Sequence, residues 1–259
     1  MVGGFFLFLP LRTLAQSPES GFSKPFQFGE LVSYNISYNW GLIWVDAGEV
    51  SFGVQKGQHL GKEVYHFVSE GSTYKKYDWF YKVRDRYEAH TDTSSLRPYR
   101  FIRDVEEGKS YYHNQYLFNH QNNKAFSFFK RLNEDLKKDT IEFPEGVYDV
   151  LSMIYFARCI PWEEYKIGDL VPIKLILDGE VYKSHIRYLG KEEKKVEELG
   201  KISCIKFQPR LIAGTIFPGG DDMTVWVSDD KNRIPVYIKT PIIVGNIKVR
   251  LKSTQGLKH

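Results

Sequence analysis

Tyr81-Lys82-Val83-Arg84-Asp85-Arg86-Tyr87-Glu88-Ala89-His90 decides the fold class. Tyr81, Val83, Tyr87 and Ala89 alternate with Lys82, Arg84, Arg86, Glu88 and His90, so one side is apolar except for Asp85 and the other is charged. Successive side chains of a strand point to opposite faces, and this period is the mark of a half-buried strand. The same alternation runs outward in both directions. Upstream, Val32, Tyr34, Ile36 and Tyr38 alternate with polar residues, and runs follow from Trp44 to Val54 and from Val64 to Val68, with a turn at Lys56-Gly57 and a loop to Gly61 expected between them. Downstream, strands are expected over 100–105, 111–118 and 124–130, joined by turns at Glu107-Gly108-Lys109 and across 119–123.

The run of strands breaks once. After Pro144-Glu145-Gly146, the residues Val147, Val150, Leu151, Ile154 and Ala157 recur at helical spacing, Asp149 lies near the start and Arg158 near the end. That charge order suits the helix dipole, so a helix is expected over 146–158, stopped by Pro161. A second meander follows over 170–177, 181–189, 192–196, 203–208, 224–228, 234–239 and 246–251, with Asp178-Gly179 a hairpin turn. The expectation is a mainly β protein: antiparallel meanders forming a curled sheet, a barrel or two packed sheets, with the one helix closing an end or covering a face. It occupies residues 26–253 as a single domain whose halves are split by the helix.

Composition bounds the rest. The chain has 259 residues, 42% hydrophobic and 15% aromatic, a net charge of +4 and two Cys, which excludes disorder, collagen-like repeats and a disulfide-stapled miniprotein. Lysines are interleaved with acids, as in Lys191-Glu192-Glu193-Lys194-Lys195-Val196-Glu197-Glu198, which is a solvated face and no nucleic-acid patch. Phe5-Phe6-Leu7-Phe8-Leu9-Pro10-Leu11 is too short to span a bilayer, and Thr13-Leu14-Ala15 ends in small residues suited to signal-peptidase cleavage. Residues 1–15 are therefore expected to be a signal peptide, 16–25 a flexible segment, and the mature chain to be exported to the periplasm or cell envelope without a transmembrane segment. The first four residues lack the Lys or Arg that such signals carry; an apolar N-terminal strand or helix is the alternative. Cys159 and Cys204 could pair in an oxidising compartment or remain as buried thiols.

Three groups of residues, taken in order, resemble a known family. They are Gly29-Glu30-x-Val32-x-Tyr34-x-Ile36-x-Tyr38 with Gly41 and Ala47-Gly48-Glu49; Tyr148-Asp149-Val150-Leu151-Ser152 with Tyr155 and Arg158; and Trp226-Val227-Ser228-Asp229-Asp230 with Arg233-Ile234-Pro235-Val236. Together they look like the bacterial exported family called domain of unknown function 3108. The resemblance implies a β-rich envelope protein with no established activity and no catalytic residues to carry over. The closing strand, acidic turn and Arg-x-Pro strand are more loosely similar to periplasmic half-barrel lipoprotein carriers, which hold acyl chains. That likeness is one of architecture, which does not fix function.

Catalytic motifs are missing. There is no Gly-x-Ser-x-Gly, His-Glu-x-x-His or Gly-x-Gly-x-x-Gly, Gly108-Lys109-Ser110 lacks the earlier glycine of a Walker motif because Arg103 stands in its place, and His66, His90, His113, His120 and His185 stand singly, so no cofactor or metal site is expected. The Pro218–Asp222 loop offers too few carboxylates for calcium. Asp85 is the carboxylate of interest, because alternation turns it inward. It is either a ligand anchor or general acid, or a structural carboxylate accepting hydrogen bonds from a Tyr or Arg. The chain holds 17 Tyr, 18 Phe and 5 Trp, and Trp79, Tyr81, Asp85, Tyr87, Tyr116 and Phe128 are the expected ligand-binding residues. Two functions remain open at this point: binding of a lipid, another apolar ligand or an envelope protein, or a glycan-acting hydrolase using the inward carboxylate.

Overall fold

In the computed structural model of the chain, residues 24–40, 43–197, 199–212, 223–242 and 245–259 are described. The expected signal peptide, most of the 16–25 segment and the Pro218–Asp222 loop lie outside them.

Eight strands precede the helix: β1 (Leu31–Trp40), β2 (Ile43–His59), β3 (Lys62–Thr73), β4 (Val83–Asp92), β5 (Pro98–Glu107), β6 (Ser110–Asn119), β7 (Lys124–Arg131) and β8 (Lys137–Glu142). After the helix α1 (Val150–Cys159) come β9 (Leu170–Leu177), β10 (Glu180–Val196), β11 (Gly200–Pro209), β12 (Thr224–Ser228), β13 (Pro235–Pro241) and β14 (Asn246–Gln255). Each half is a meander, and antiparallel pairing of β1 with β14 joins them into one curled, unclosed sheet of 14 strands with β8 and β9 at its edges.

Both edges are protected from pairing with another chain. Strand β8 carries Lys137, Lys138, Asp139 and Glu142 and is largely exposed. Along β9, Tyr148 forms a bridge to Leu175, its N–H donating to the Lys174 carbonyl at 3.0 Å and its carbonyl accepting from Ile176 at 2.9 Å.

Register assigns the faces. Val54, Phe67, Ala89, Phe101, Tyr116 and Ser127 stand side by side across β2 to β7, and all but Ser127 belong to the main core. This row defines the inner face. Helix α1 packs against it: the Tyr155 ring stacks on Phe67 at 3.7 Å and its hydroxyl donates to the Gly53 carbonyl at 3.3 Å. Trp162, beyond the helix, stacks on Phe207 and Tyr188 of the other half. The helix, the segment from Lys24 to Glu30 and the turn after it therefore plug one end of the curl.

Local departures from the sequence reading have local causes. The β2–β3 turn falls at Leu60-Gly61, both with positive φ, and Lys56-Gly57 lies within β2. Gly57 is there for space: a Cβ would come within 3.0 Å of the His66 Cβ and 3.1 Å of Val64. Strand β8 was not expected, because its lysines and acids mask any alternation. The stretches 181–189 and 192–196 are one strand, β10, continued through an irregularity between Tyr188 and Gly190. The helix begins at Val150, since Asp149 caps it with one carboxylate oxygen accepting from the N–H groups of Leu151 (2.9 Å) and Ser152 (2.8 Å). Cys159 and Cys204 are both buried free thiols.

Candidate functional site

The three groups of signature residues do not form a pocket; two of them meet in a buried lock at the plugged end. Arg158, on the last turn of α1, donates to Glu30 through Nη1 (2.5 Å) and Nη2 (3.1 Å), and Nη2 also reaches the Asn232 carbonyl at 2.9 Å. Its guanidinium lies 5.3 Å from the Phe26 ring centre and 5.7 Å from that of Tyr155. Glu30 is 2% exposed and Arg158 5%, so the pair lies in low dielectric, with both Glu30 oxygens and both Arg158 terminal nitrogens hydrogen-bonded. Arg233 donates to the Ile160 carbonyl and to Glu163, while Asp230 organises the β12–β13 turn by accepting from Ser228, Asn232 and Arg233. These residues fasten helix and turns to the sheet.

The chemically unusual groups lie further along the inner face. Next to the core row stands Phe52, Ser69, Tyr87, Arg103, Asn114 and Phe129, and beyond it Tyr34, Val50, Gly71, Asp85, Val105 and Tyr112. Val83 pairs with Glu107 and Asp85 with Val105, so Glu107 is the diagonal same-face neighbour of Asp85, about 7–8 Å away by Cα. Alternation in one strand cannot show a partner in the next. Glu107 is not legible as that partner in the sequence, where it reads as part of a turn, whereas it is the last residue of β5.

Around the two acids the geometry is ordered. Arg103 donates to Asp178 at 2.9 Å across the curl, from a turn 75 residues away, and lies over the Tyr112 ring at 4.7 Å. Tyr116 accepts from the Gly179 N–H at 2.9 Å and from Asn114 at 3.0 Å. Asp85 Oδ1 is buried with no hydrogen-bond partner. Burial first, and then the negative charge of Glu107, push the Asp85 carboxyl up to about 7, and burial also raises Glu107. Burial lifts the Tyr112 phenol to about 12. The result is a carboxyl group that changes charge near neutrality, beside a fixed guanidinium and Tyr hydroxyls. When protonated it can donate a hydrogen bond, and when ionised it can only accept.

Of the expected residues, Asp85, Tyr87 and Tyr116 share this inner face. Tyr81 lies in the β3–β4 connection, exposed, with its ring so near Gly108 that a Cβ there would approach to 3.0 Å, which places it at the margin of the Glu107 turn. Trp79 is 84% exposed at the tip of that connection and is not part of the cluster. Phe128 pairs with Gln115, on the opposite face from Phe129, and so points away from the cluster. Arg103, Glu107, Tyr112 and Asp178 are the residues the sequence reading missed.

The outer face carries paired charges. Arg86 binds Glu88 (2.8 Å) and Glu70, His66 meets Glu88 at 2.7 Å, and His113 meets Asp104 at 2.7 Å. A groove of about 710 Å³ there is lined by residues including Glu49, Glu70, Arg84, Arg86 and Lys252, whose opposite charges pair within it: Lys252 with Glu49 and Arg86 with Glu70. Among the described residues no group of three His, Cys, Asp or Glu comes together as a metal site would require. None of the described helices is long and apolar enough to cross a membrane.

Comparison with known proteins agrees with this architecture. A crystal structure described as a beta-barrel-like protein of domain of unknown function DUF1849 from Brucella abortus is similar in fold, with a TM-score of 0.61 and 8% identity over 90% of this chain and 100% of that one. At that identity the likeness is one of fold alone. No curated protein sequence matches the chain. The family model described as protein of unknown function DUF3108 matches residues 33–252, spanning all 14 strands in whole or in part, and the chain belongs to that family.

Proposed function

We propose that this is an exported protein of the bacterial cell envelope, non-catalytic, that holds a hydrophobic or lipid-like ligand against the inner face of its curled sheet. One observation carries the reading. Among the described residues the helix and its flanking segments fill one end, and beyond them Ile36, Val50, Val83, Ile238 and Val249 are half-buried on the inner face that also carries Asp85, Arg103 and Glu107. An apolar wall with a few convergent polar groups is the usual make-up of a small-molecule site. Acyl chains would lie on the wall, and the guanidinium and carboxyl groups would meet a polar head. The expected signal peptide supports export, and the likeness to exported families is consistent with it.

Titration with a fluorescent long-chain fatty acid tests this. Saturable one-site binding is expected, weakened at least tenfold by Val83→Lys on the inner face and unchanged by Phe128→Lys on the outer one. Equal binding by both variants, or none by the unmodified protein, contradicts the reading.

The paired carboxyls Asp85 and Glu107 favour one alternative, a glycan-acting hydrolase, since acid pairs separated by about 5–9.5 Å perform glycoside hydrolysis. It requires turnover of a glycan that Asp85→Asn and Glu107→Gln each abolish; fatty-acid binding without such turnover decides for the carrier.

A further inference from the structure

We propose that the connection between β3 and β4, Tyr74 to Lys82, is a docking tip that seats the protein on the surface of an anionic lipid bilayer. At its apex Trp79 is 84% and Phe80 65% exposed, consecutive aromatics whose ring centres lie 5.9 Å apart. A large aromatic exposed at the apex of a connection marks an interaction surface, and Trp is suited to the boundary between headgroups and acyl chains.

The tip is built to hold that shape. Residues Lys75–Tyr77 form a single turn of 3-10 helix, after which the N–H groups of Phe80 and Tyr81 both donate to the Tyr77 carbonyl at 2.9 and 3.0 Å. Asp78 accepts from Arg84 at 2.6 Å and from Thr73 at 2.9 Å, and the Thr73 hydroxyl in turn accepts from the Val83 N–H at 3.1 Å. Insertion of a loop ordered in this way carries little further entropic penalty.

Charge selects the occupant. Asp78 is held by Arg84, and Lys82 is paired with Glu106, which leaves the exposed Lys75 and Lys76 as the uncompensated charges of the tip. Lys76 lies over the Tyr77 ring at 4.9 Å, so its ammonium group belongs to the same connection as the exposed aromatics. Exposed apolar side chains and cations on one connection suit acyl chains below anionic headgroups. A second feature at the same end of the sheet repeats the pattern: Ile43 is 68% exposed, and Lys248 lies 3.6 Å from the ring centre of Trp44. The β3–β4 connection lies at the end of the sheet opposite helix α1, so docking there would bring the half-buried inner face next to the membrane.

The test is flotation with vesicles of phosphatidylcholine containing phosphatidylglycerol, using the protein as processed by its host, together with quenching of tryptophan fluorescence by brominated acyl chains. Binding is expected, with quenching that largely disappears in Trp79→Phe. Trp79→Ser with Phe80→Ser should weaken binding about a hundredfold, roughly tenfold for each side chain withdrawn from the apolar phase. Lys75→Gln and Lys76→Gln should each weaken it about fivefold, an effect that vanishes on phosphatidylcholine alone. These positions are exposed, so circular dichroism and fatty-acid binding should stay unchanged; this separates a failure of docking from a failure of the ligand reading. No flotation, equal flotation by the Trp79→Ser and Phe80→Ser variant, or tip-dependent self-association without lipid would overturn the proposal, the last by assigning the tip to a second copy of the chain.

Discussion

Replacing Arg158 by Met should be among the most damaging single changes in the chain. The substitution nearly preserves the length of the side chain's apolar stem but leaves the Glu30 carboxylate, 2% exposed, without the guanidinium that satisfies both its oxygens. Removing one member of a buried pair strands a desolvated charge and costs about 3–5 kcal/mol. The Asn232 carbonyl also loses a donor, adding roughly 1 kcal/mol. For a chain of this size about 1 kcal/mol lowers Tm by roughly 2–4 °C, so a fall of about 8–24 °C is expected. The double variant Glu30→Met with Arg158→Met removes the stranded charge among Phe26, Tyr34 and Tyr155, and should recover about half or more of the loss. Urea unfolding followed by circular dichroism on the four proteins of this cycle gives the coupling directly. A loss below about 1 kcal/mol for Arg158→Met, or a double variant equal to the sum of the singles, would refute the lock.

Asp85 and His90, on opposite faces of β4, should respond to acid in opposite directions. The Asp85 carboxyl is raised to about 7, so stability is lost as pH climbs from about 4 through 7, and Asp85→Asn should gain on the order of 1 kcal/mol at pH 8 after solvent screening and almost nothing at pH 4. His90 is lowered to about 4 by burial and by its neighbour His66, whose ring stacks on it at 4.2 Å. Its contribution therefore disappears as pH falls from about 6.5 through 4, and His90→Gln should flatten acid unfolding in that range; an unchanged profile in either variant contradicts the assignment. Asp149→Ala removes the helix cap and the 2.5 Å bond from Ser152, and should lower stability by about 1–2 kcal/mol in thermal unfolding, with Asp149→Asn recovering most of it.

How far the sequence carries depends on the range of the interaction. Alternation within a strand identifies Asp85 as inward, because the pleat alone determines the facing of residues 83, 85, 87 and 89. The hairpin at Asp178-Gly179 is legible for the same reason, since both residues adopt positive φ and the pair suits that turn. The site is not legible beyond Asp85. Arg103 reads as one more charge on a polar strand until the curl brings Asp178 to it, and Glu107 reads as a turn residue until β5 proves two residues longer at that end. Phe128 and Phe129 show the complementary limit: two adjacent aromatics must face opposite ways, but nothing in the pair says which is inside. Glu30 and Arg158 are recognisable as signature residues, whereas their meeting 128 positions apart is a property of the folded sheet.

The central claim is that the inner face beyond the plug holds an apolar ligand. Native mass spectrometry of the protein, purified gently from its own envelope fraction with bound material extracted and identified, tests it most directly. A stoichiometric lipid-like adduct, lost when Val83→Lys is introduced, is the predicted result. A clean ligand-free mass under those conditions, with the inner-face variant indistinguishable from the unmodified protein, would contradict it.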